Sequence, residues 1–276
     1  MILDRVIKQF RLQVVSIHEV EDSHSSTVYR CRILNGDHVF IKIPYSKLKF
    51  QRELEAYDIL KGSVPIPDML DLWTGDEECP GAFLLSELKG QPLTSKASPA
   101  LAYQVGVIHA SMHSLQPPVN MVMSGIKNEF PNWNTFIEQL FYSFAKDVKD
   151  ILDEDLYEQS IAKFRAMKQQ LPPKDGPSFI HMDFRPANII IEGNRVSGVI
   201  DFESVRFGST EMDFTKLYRD FLSFDHSMYQ AYQEGYKSIR PLIDLEMVLP
   251  FYRFTDAFNS IGWCKRRGME KKRFIF

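Results

Sequence analysis

The segment His181-Met182-Asp183-Phe184-Arg185-Pro186-Ala187-Asn188 has the spacing H-x-D-x-x-x-x-N. Phosphoryl transfer uses this arrangement: a carboxylate to orient a hydroxyl and accept its proton, and an amide oxygen to help hold Mg²⁺ beside the phosphates. Asp183 suits the first task and Asn188 the second. A second acid, Asp201, ends the apolar run Ser197-Gly198-Val199-Ile200. Glu192-Gly193-Asn194-Arg195 reads as the turn of a hairpin, which sets Asn188 beside Asp201 as a hard-cation site. Lys42 stands inside the apolar strand Val39-Phe40-Ile41-Lys42-Ile43, and Glu53 shares a helical face with Phe50, Tyr57 and Leu60. Each is costly to bury alone, and an ion pair relieves both. The paired ammonium would face the α- and β-phosphates of a nucleotide.

These residues need two kinds of scaffold. The first ~90 residues read as a small sheet with one helix. Strands are expected at Thr27 to Leu34 and His38 to Ile43 around the Asn35-Gly36 turn, then at Met69 to Thr74 and Ala82 to Glu87. The helix is expected from Leu48 to Leu60. After Gly90-Gln91-Pro92 the pattern turns helical, with helices at Pro99 to Leu115, Trp133 to Ile151, Asp155 to Leu171, Glu211 to Phe224, Met228 to Ser238 and Ile243 to Lys265. One β island, Phe179 to Phe202, carries the chemistry. The expected fold class is α+β and bilobal: a β-rich nucleotide-binding lobe over 1–88 and a mainly helical lobe over 89–276, with a cleft between them.

The order Lys42, Glu53, His181-x-Asp183, Asn188, Asp201 resembles the protein-kinase-like fold. It is most similar to the aminoglycoside phosphotransferase and choline kinase-like family of small-molecule kinases. Asp201-Phe202-Glu203, followed by Gly208 and Asp213, matches that family, whereas the D-F-G and A-P-E of protein kinases are absent. Arg52-Glu53, Val64-Pro65-Ile66-Pro67 and the hinge-like Phe83-Leu84-Leu85-Ser86-Glu87 extend the likeness, which runs from about Thr27 to Leu217.

The resemblance implies roles. Asp183 is the base, Asn188 and Asp201 the Mg²⁺ ligands, and Lys42 the phosphate contact with Glu53 behind it. The backbone of Ser86 and Leu88 meets the adenine, with Leu85 at the back of the pocket. His181 organises the loop and Asp213 buttresses it. The loop Asp22-Ser23-His24-Ser25-Ser26-Thr27 replaces a glycine-rich loop, so Ser25 and Ser26 would cradle phosphate. Arg185 stands where many relatives carry His. A γ-phosphate contact and a structural salt bridge both remain open for it.

His109 and His113 have metal-ligand spacing but lack the intervening glutamate of zinc proteases, so a structural role is expected. Phe130-Pro131-Asn132-Trp133 opens a helical region that in this family often helps form the acceptor site. An acidic run (Asp147, Asp150, Asp153, Glu154, Asp155, Glu158) and a basic tail (Lys265, Arg266, Arg267, Lys271, Lys272, Arg273) compete to set the acceptor's charge. Either could simply be a solvated surface.

The 276 residues carry 33 basic and 36 acidic side chains, for a net charge of −3, which argues against a nucleic-acid partner. The 44% hydrophobic content excludes disorder as the main state. No run is long enough to span a bilayer, and the N-terminus lacks a signal-peptide core, so a cytoplasmic protein without a membrane partner is expected. Cys31, Cys79 and Cys264 are read as reduced, buried thiols. The expected activity is transfer of a phosphate from ATP or GTP, with Mg²⁺, to a hydroxyl of an antibiotic, amino alcohol or sugar. The rival is a nucleotide-binding protein that uses the scaffold without catalysis.

Overall fold

The computed structural model describes residues 2–20, 26–120 and 122–268. Five antiparallel strands form the first sheet, in the order β1-β2-β3-β5-β4. They are β1 (Val14–Glu19), β2 (Ser26–Ile33), β3 (His38–Pro44), β4 (Met69–Trp73) and β5 (Ala82–Ser86). Lys42 lies in the central strand β3, paired with Val28 on β2 and Phe83 on β5. The two faces of this sheet bury different layers. Helix α1 (Ile2–Gln9) with the turn after it presses Val6 and Phe10 onto Cys31, Val39 and Ile41. Helix α2 (Lys47–Leu60), capped by Ser46, packs Phe50 and Tyr57 on Phe83 from the other side.

Helix α1 and strand β1 were absent from the sequence reading, which allowed one helix in this region. Eight residues are too few to be stable alone. The helix exists because Val6 and Phe10 close a sheet face that would otherwise meet water.

The helical part contains α3 (Pro99–His113), α4 (Trp133–Lys149), α5 (Glu154–Lys168), α6 (Phe214–Asp220), α7 (His226–Lys237) and α8 (Leu245–Arg266). Between α5 and α6 run β7 (Ser178–Ile180), β8 (Ile189–Glu192), β9 (Arg195–Val199) and β10 (Arg206–Gly208). Strand β6 (Gln91–Pro92) pairs with β8. β10, too short to show a period, lies antiparallel to β7.

The helix expected from Glu211 to Phe224 is broken. A 3₁₀ turn (Thr210–Asp213) leads into α6, and a second one (Leu222–Phe224) follows it. Phe221, buried at φ −144°, leaves helical geometry between them to fill the core.

Helices α3 and α7 approach closely. A Cβ on Gly106 would fall 2.2 Å from the Tyr232 carbonyl oxygen, and one on Gly235 would fall 2.0 Å from that of Tyr103. Cys31 and Cys79 are buried free thiols, whereas Cys264 is half-buried. Among the described residues no helix is long and apolar enough to cross a membrane.

Candidate active site

Helix α2 brings Glu53 beneath β3, and the β9 end brings Asp201 to the same place. Lys42 Nζ lies 2.8 Å from Glu53 Oε1 and 2.8 Å from Asp201 Oδ1. Burial opposes the charge on Lys42, but Asp201, Glu53 and Glu203 together hold its pKa above the usual lysine value. Burial likewise opposes ionisation of Asp201, and the Lys42 charge and hydrogen bond overcome it, so its carboxyl sits below the usual range. Glu53 is the deepest of the three: burial pushes it up to about 7 despite Lys42.

The segment after β7 carries Asp183. Asn188 Nδ2 donates to the Asp183 carbonyl at 2.9 Å and to its Oδ2 at 3.1 Å. That leaves the Asn188 side-chain oxygen, Oδ1, as the atom able to ligate a cation. Arg185 Nε lies 3.1 Å from Asp183 Oδ2, an ion pair without hydrogen-bond alignment. On the other side Lys216 Nζ, from α6, is 2.6 Å from Asp183 Oδ1. The β8–β9 turn pairs Glu192 with Arg195, and a register slip between Ile190 and Ile191 then lets Asn188 O receive the Ile200 N–H at 3.0 Å, leaving Asp201 one residue beyond the expected pairing. Without that bulge Asn188 would fall opposite Val199, so the slip brings Asp201 to within one residue of the pairing the turn position suggested.

Both functional turns use left-handed backbone at non-glycine residues: Met182 at φ 67° and Asp201 at φ 73°. Such conformations cost about 1–3 kcal/mol and persist where surrounding bonds demand them. For Met182 the demand is visible. Asp213 Oδ2 accepts the His181 N–H at 2.7 Å, and Oδ1 accepts the Met182 N–H at 2.7 Å. His181 Nε2 lies 3.0 Å from the Ile200 carbonyl, tying the two turns together.

His109, His113 and Asp213 place ligand atoms within 4.8 Å of one another. Their hydrogen bonds account for the arrangement without a metal ion. The Tyr232 and Tyr236 hydroxyls stand 2.7 and 2.8 Å from Nδ1 of His109 and His113. Each Nε2 faces Asp213 Oδ2 at 3.3 Å. Neutral rings protonated at Nε2 satisfy every atom, and burial favours that neutral form.

Helix α2 is also joined to the helical part. Arg52 donates to the carbonyls of Gly125 and Glu203 at 3.1 and 2.9 Å. Glu55 accepts the N–H groups of Ser124 and Ile126 at 2.8 and 2.7 Å.

The remaining expected residues fall as follows. Ser26 opens β2 and is buried, while Ser25 lies outside the described residues. Ser86 ends β5 with its N–H donated to Asp68 O at 2.9 Å, leaving its carbonyl as the backbone group it could offer an adenine. Leu88 lies over Gly198, where a Cβ would meet its Cδ1 at 2.8 Å. Phe130 and Trp133 line a cavity of about 510 Å³ with Leu171, Glu211 and Tyr252, and no residue of the catalytic-loop segment reaches it. The start of the acidic run meets the start of the basic tail: Arg266 pairs with Asp147 at 2.6 Å and Lys265 with Asp150. Lys271, Lys272 and Arg273 lie outside the described residues.

Sequence reading missed Lys216, Arg219, Asp220 and Asp256. Arg219 grips Asp220 at 2.6 and 2.8 Å and also pairs with Asp256 of α8. Lys216 was within reach of inference, because it stands one helical turn beyond Asp213 and so faces the same loop. Asp256 was not, since nothing local links α8 to the loop.

A search of curated proteins found no match. Among solved structures the chain is similar to wild-type aminoglycoside 2'-phosphotransferase-IIIa in its GDP complex, at 17% identity over 96% of this chain and 90% of that one, with a TM-score of 0.76. It is similar to macrolide 2'-phosphotransferase MphH from Brachybacterium faecium at 14% identity, covering 97% and 92%, with a TM-score of 0.71. It is similar to a Plasmodium vivax ethanolamine kinase at 14% identity, covering 95% and 79%, with a TM-score of 0.64. These likenesses establish the kinase-like α+β fold. The family model described as "Phosphotransferase enzyme family" matches residues 16–247, and the chain therefore belongs to the phosphotransferase enzyme family.

Proposed function

We propose that this protein transfers the γ-phosphate of ATP or GTP to a hydroxyl group of a small molecule, using Mg²⁺. The observation that carries the reading is Lys42 Nζ held between Glu53 and Asp201 at 2.8 Å each. A buried ammonium paired to one acid from α2 and one from the β9 end fits a phosphate contact beside a metal ligand. Asp201 and Asn188 Oδ1 are hard oxygen donors of the kind Mg²⁺ takes. Held there, Mg²⁺ would offset the charge of the phosphates.

Asp183 orients the acceptor hydroxyl and receives its proton. The hydroxyl oxygen forms a bond to the γ-phosphorus while the bond to the bridging oxygen breaks. The leaving nucleoside diphosphate keeps that electron pair. Arg185, whose Nε lies 3.1 Å from Asp183 Oδ2, would meet the charge on the transferring group. The structural neighbours, an aminoglycoside and a macrolide phosphotransferase and an ethanolamine kinase, support a small-molecule acceptor.

The test is ADP release from Mg·ATP across a panel of aminoglycosides, macrolides, amino alcohols, hydroxy acids and sugars. Acceptor-dependent release in wild type, reduced about 1,000-fold in Asp183→Asn, is expected. Nucleotide binding without release above the variant would favour the non-catalytic reading.

A further inference from the structure

The wall beside Asp183 holds three carboxylates, Asp183, Asp220 and Asp256, and three cations, Arg185, Lys216 and Arg219. They act on one another as one cluster: Asp256 feels Lys216, Arg219, Asp220 and Asp183. The two acids that could bind an acceptor amine are already occupied. Arg219 places Nε and Nη2 on Asp220 and Nη1 on Asp256, so one guanidinium fills the position an amine would take. The acidic run at the end of α4 is no alternative, because Asp147 and Asp150 pair with the last turn of α8.

Lys216 behaves differently. Its ammonium sits 2.6 Å from Asp183 Oδ1, while Asn188 and Arg185 crowd Oδ2. A hydroxyl docking on Asp183 must therefore take a position that Lys216 now holds. The lysine stem is flexible and the side chain is 31% exposed, so it can move aside. Once released, its charge needs a new partner: Arg185 stays with Asp183, and Asp220 and Asp256 are both bound to Arg219.

We infer that the acceptor carries an oxyanion, a carboxylate or phosphate, close to its reacting hydroxyl, and that Lys216 is the residue that reads it. This inference rests on the phosphotransferase reading above. It disfavours a polyamine as the preferred acceptor, since Asp220 and Asp256 are both held by Arg219 and an added amine would also meet Lys216 and Arg185.

The experiment measures binding, without turnover, to the full chain loaded with Mg²⁺ and a non-hydrolysable ATP analogue. The probes are glycerol 3-phosphate, D-glycerate and L-homoserine, against glycerol, ethanolamine and kanamycin. The oxyanion probes are expected to bind at least tenfold more tightly than the others. Lys216→Met should weaken them at least tenfold and leave nucleotide affinity within twofold, and Lys216→Arg should restore part of the loss. Unchanged thermal stability would show that the variants fold.

Tighter binding of kanamycin or ethanolamine, oxyanion affinity indifferent to Lys216→Met, or no oxyanion binding at all would overturn the inference. The two readings fail separately. Transfer to a cationic acceptor sinks only the oxyanion inference, whereas oxyanion binding with no transfer to any acceptor sinks only the phosphotransferase reading.

Discussion

Asp213 holds His181 by its backbone: one carboxylate oxygen accepts the His181 N–H at 2.7 Å, from within a fully buried site. The contact fixes the chain two residues before Asp183. Asp213→Asn keeps the shape but sets an amide donor against backbone N–H groups and two imidazole N–H groups. A loss of about 3 kcal/mol in urea unfolding is expected, in the range for breaking a buried charged network.

The same cluster sets a pH dependence. Burial, then the neighbouring His109, pushes His113 down to about 3. Its unfolded pKa is about 6.5. The unfolded chain therefore binds the proton more readily, and stability falls as pH drops below that value. Burial opposes ionisation of Asp213, but its hydrogen bonds from His109 and His113 win, so its pKa is depressed. Its contribution is lost only as pH falls below the ordinary aspartate value. Between pH 7.5 and 5.5 the histidine alone should remove about 1.4 kcal/mol. Denaturant midpoints at the two pH values would show it, and His113→Gln should flatten the dependence.

Lys42→Met removes a charge that no neighbour replaces. Glu53, already raised to about 7, then has no counter-ion and takes up a proton. The fold should survive for that reason. Nucleotide turnover should not: a fall of about 100-fold in kcat/KM is expected. Wild-type turnover with a measured loss of the ion pair would refute the phosphate role of Lys42.

Gly106→Ala offers a test of packing. In an open helix the change would gain about 1 kcal/mol. Here the new methyl would stand 2.2 Å from the Tyr232 carbonyl oxygen, so α7 must shift. That helix also carries the hydroxyls bound to His109 and His113. A net loss of about 2–3 kcal/mol is expected by thermal unfolding.

Much of this was readable before any coordinates, and for a common reason. Lys42 and Glu53 are misplaced by polarity, so their types point to a pair; their 2.8 Å contact agrees with that physics. Asn188 and Asp201 lie on one hairpin, where turn position sets the register to within a residue. Lys216, Arg219, Asp220 and Asp256 gave no such signal. Each looks like an ordinary charge on a helix surface, and only the packing of α6 against α8 and the loop makes a cluster of them. Helix α1 was missed because its stability comes from the sheet it covers, not from its own length.

The attachment of α2 has a consequence for control. In kinases that are switched by a signal, the helix bearing the glutamate swings away from the lysine, and the enzyme rests idle until it returns. Here Arg52 and Glu55, on either side of Glu53, hold that helix to Gly125, Glu203, Ser124 and Ile126. Swinging out would break all of these bonds at once and strand the Glu55 carboxylate. These bonds work against a parked state of that kind. Under the proposed function, output would follow the supply of nucleotide and acceptor.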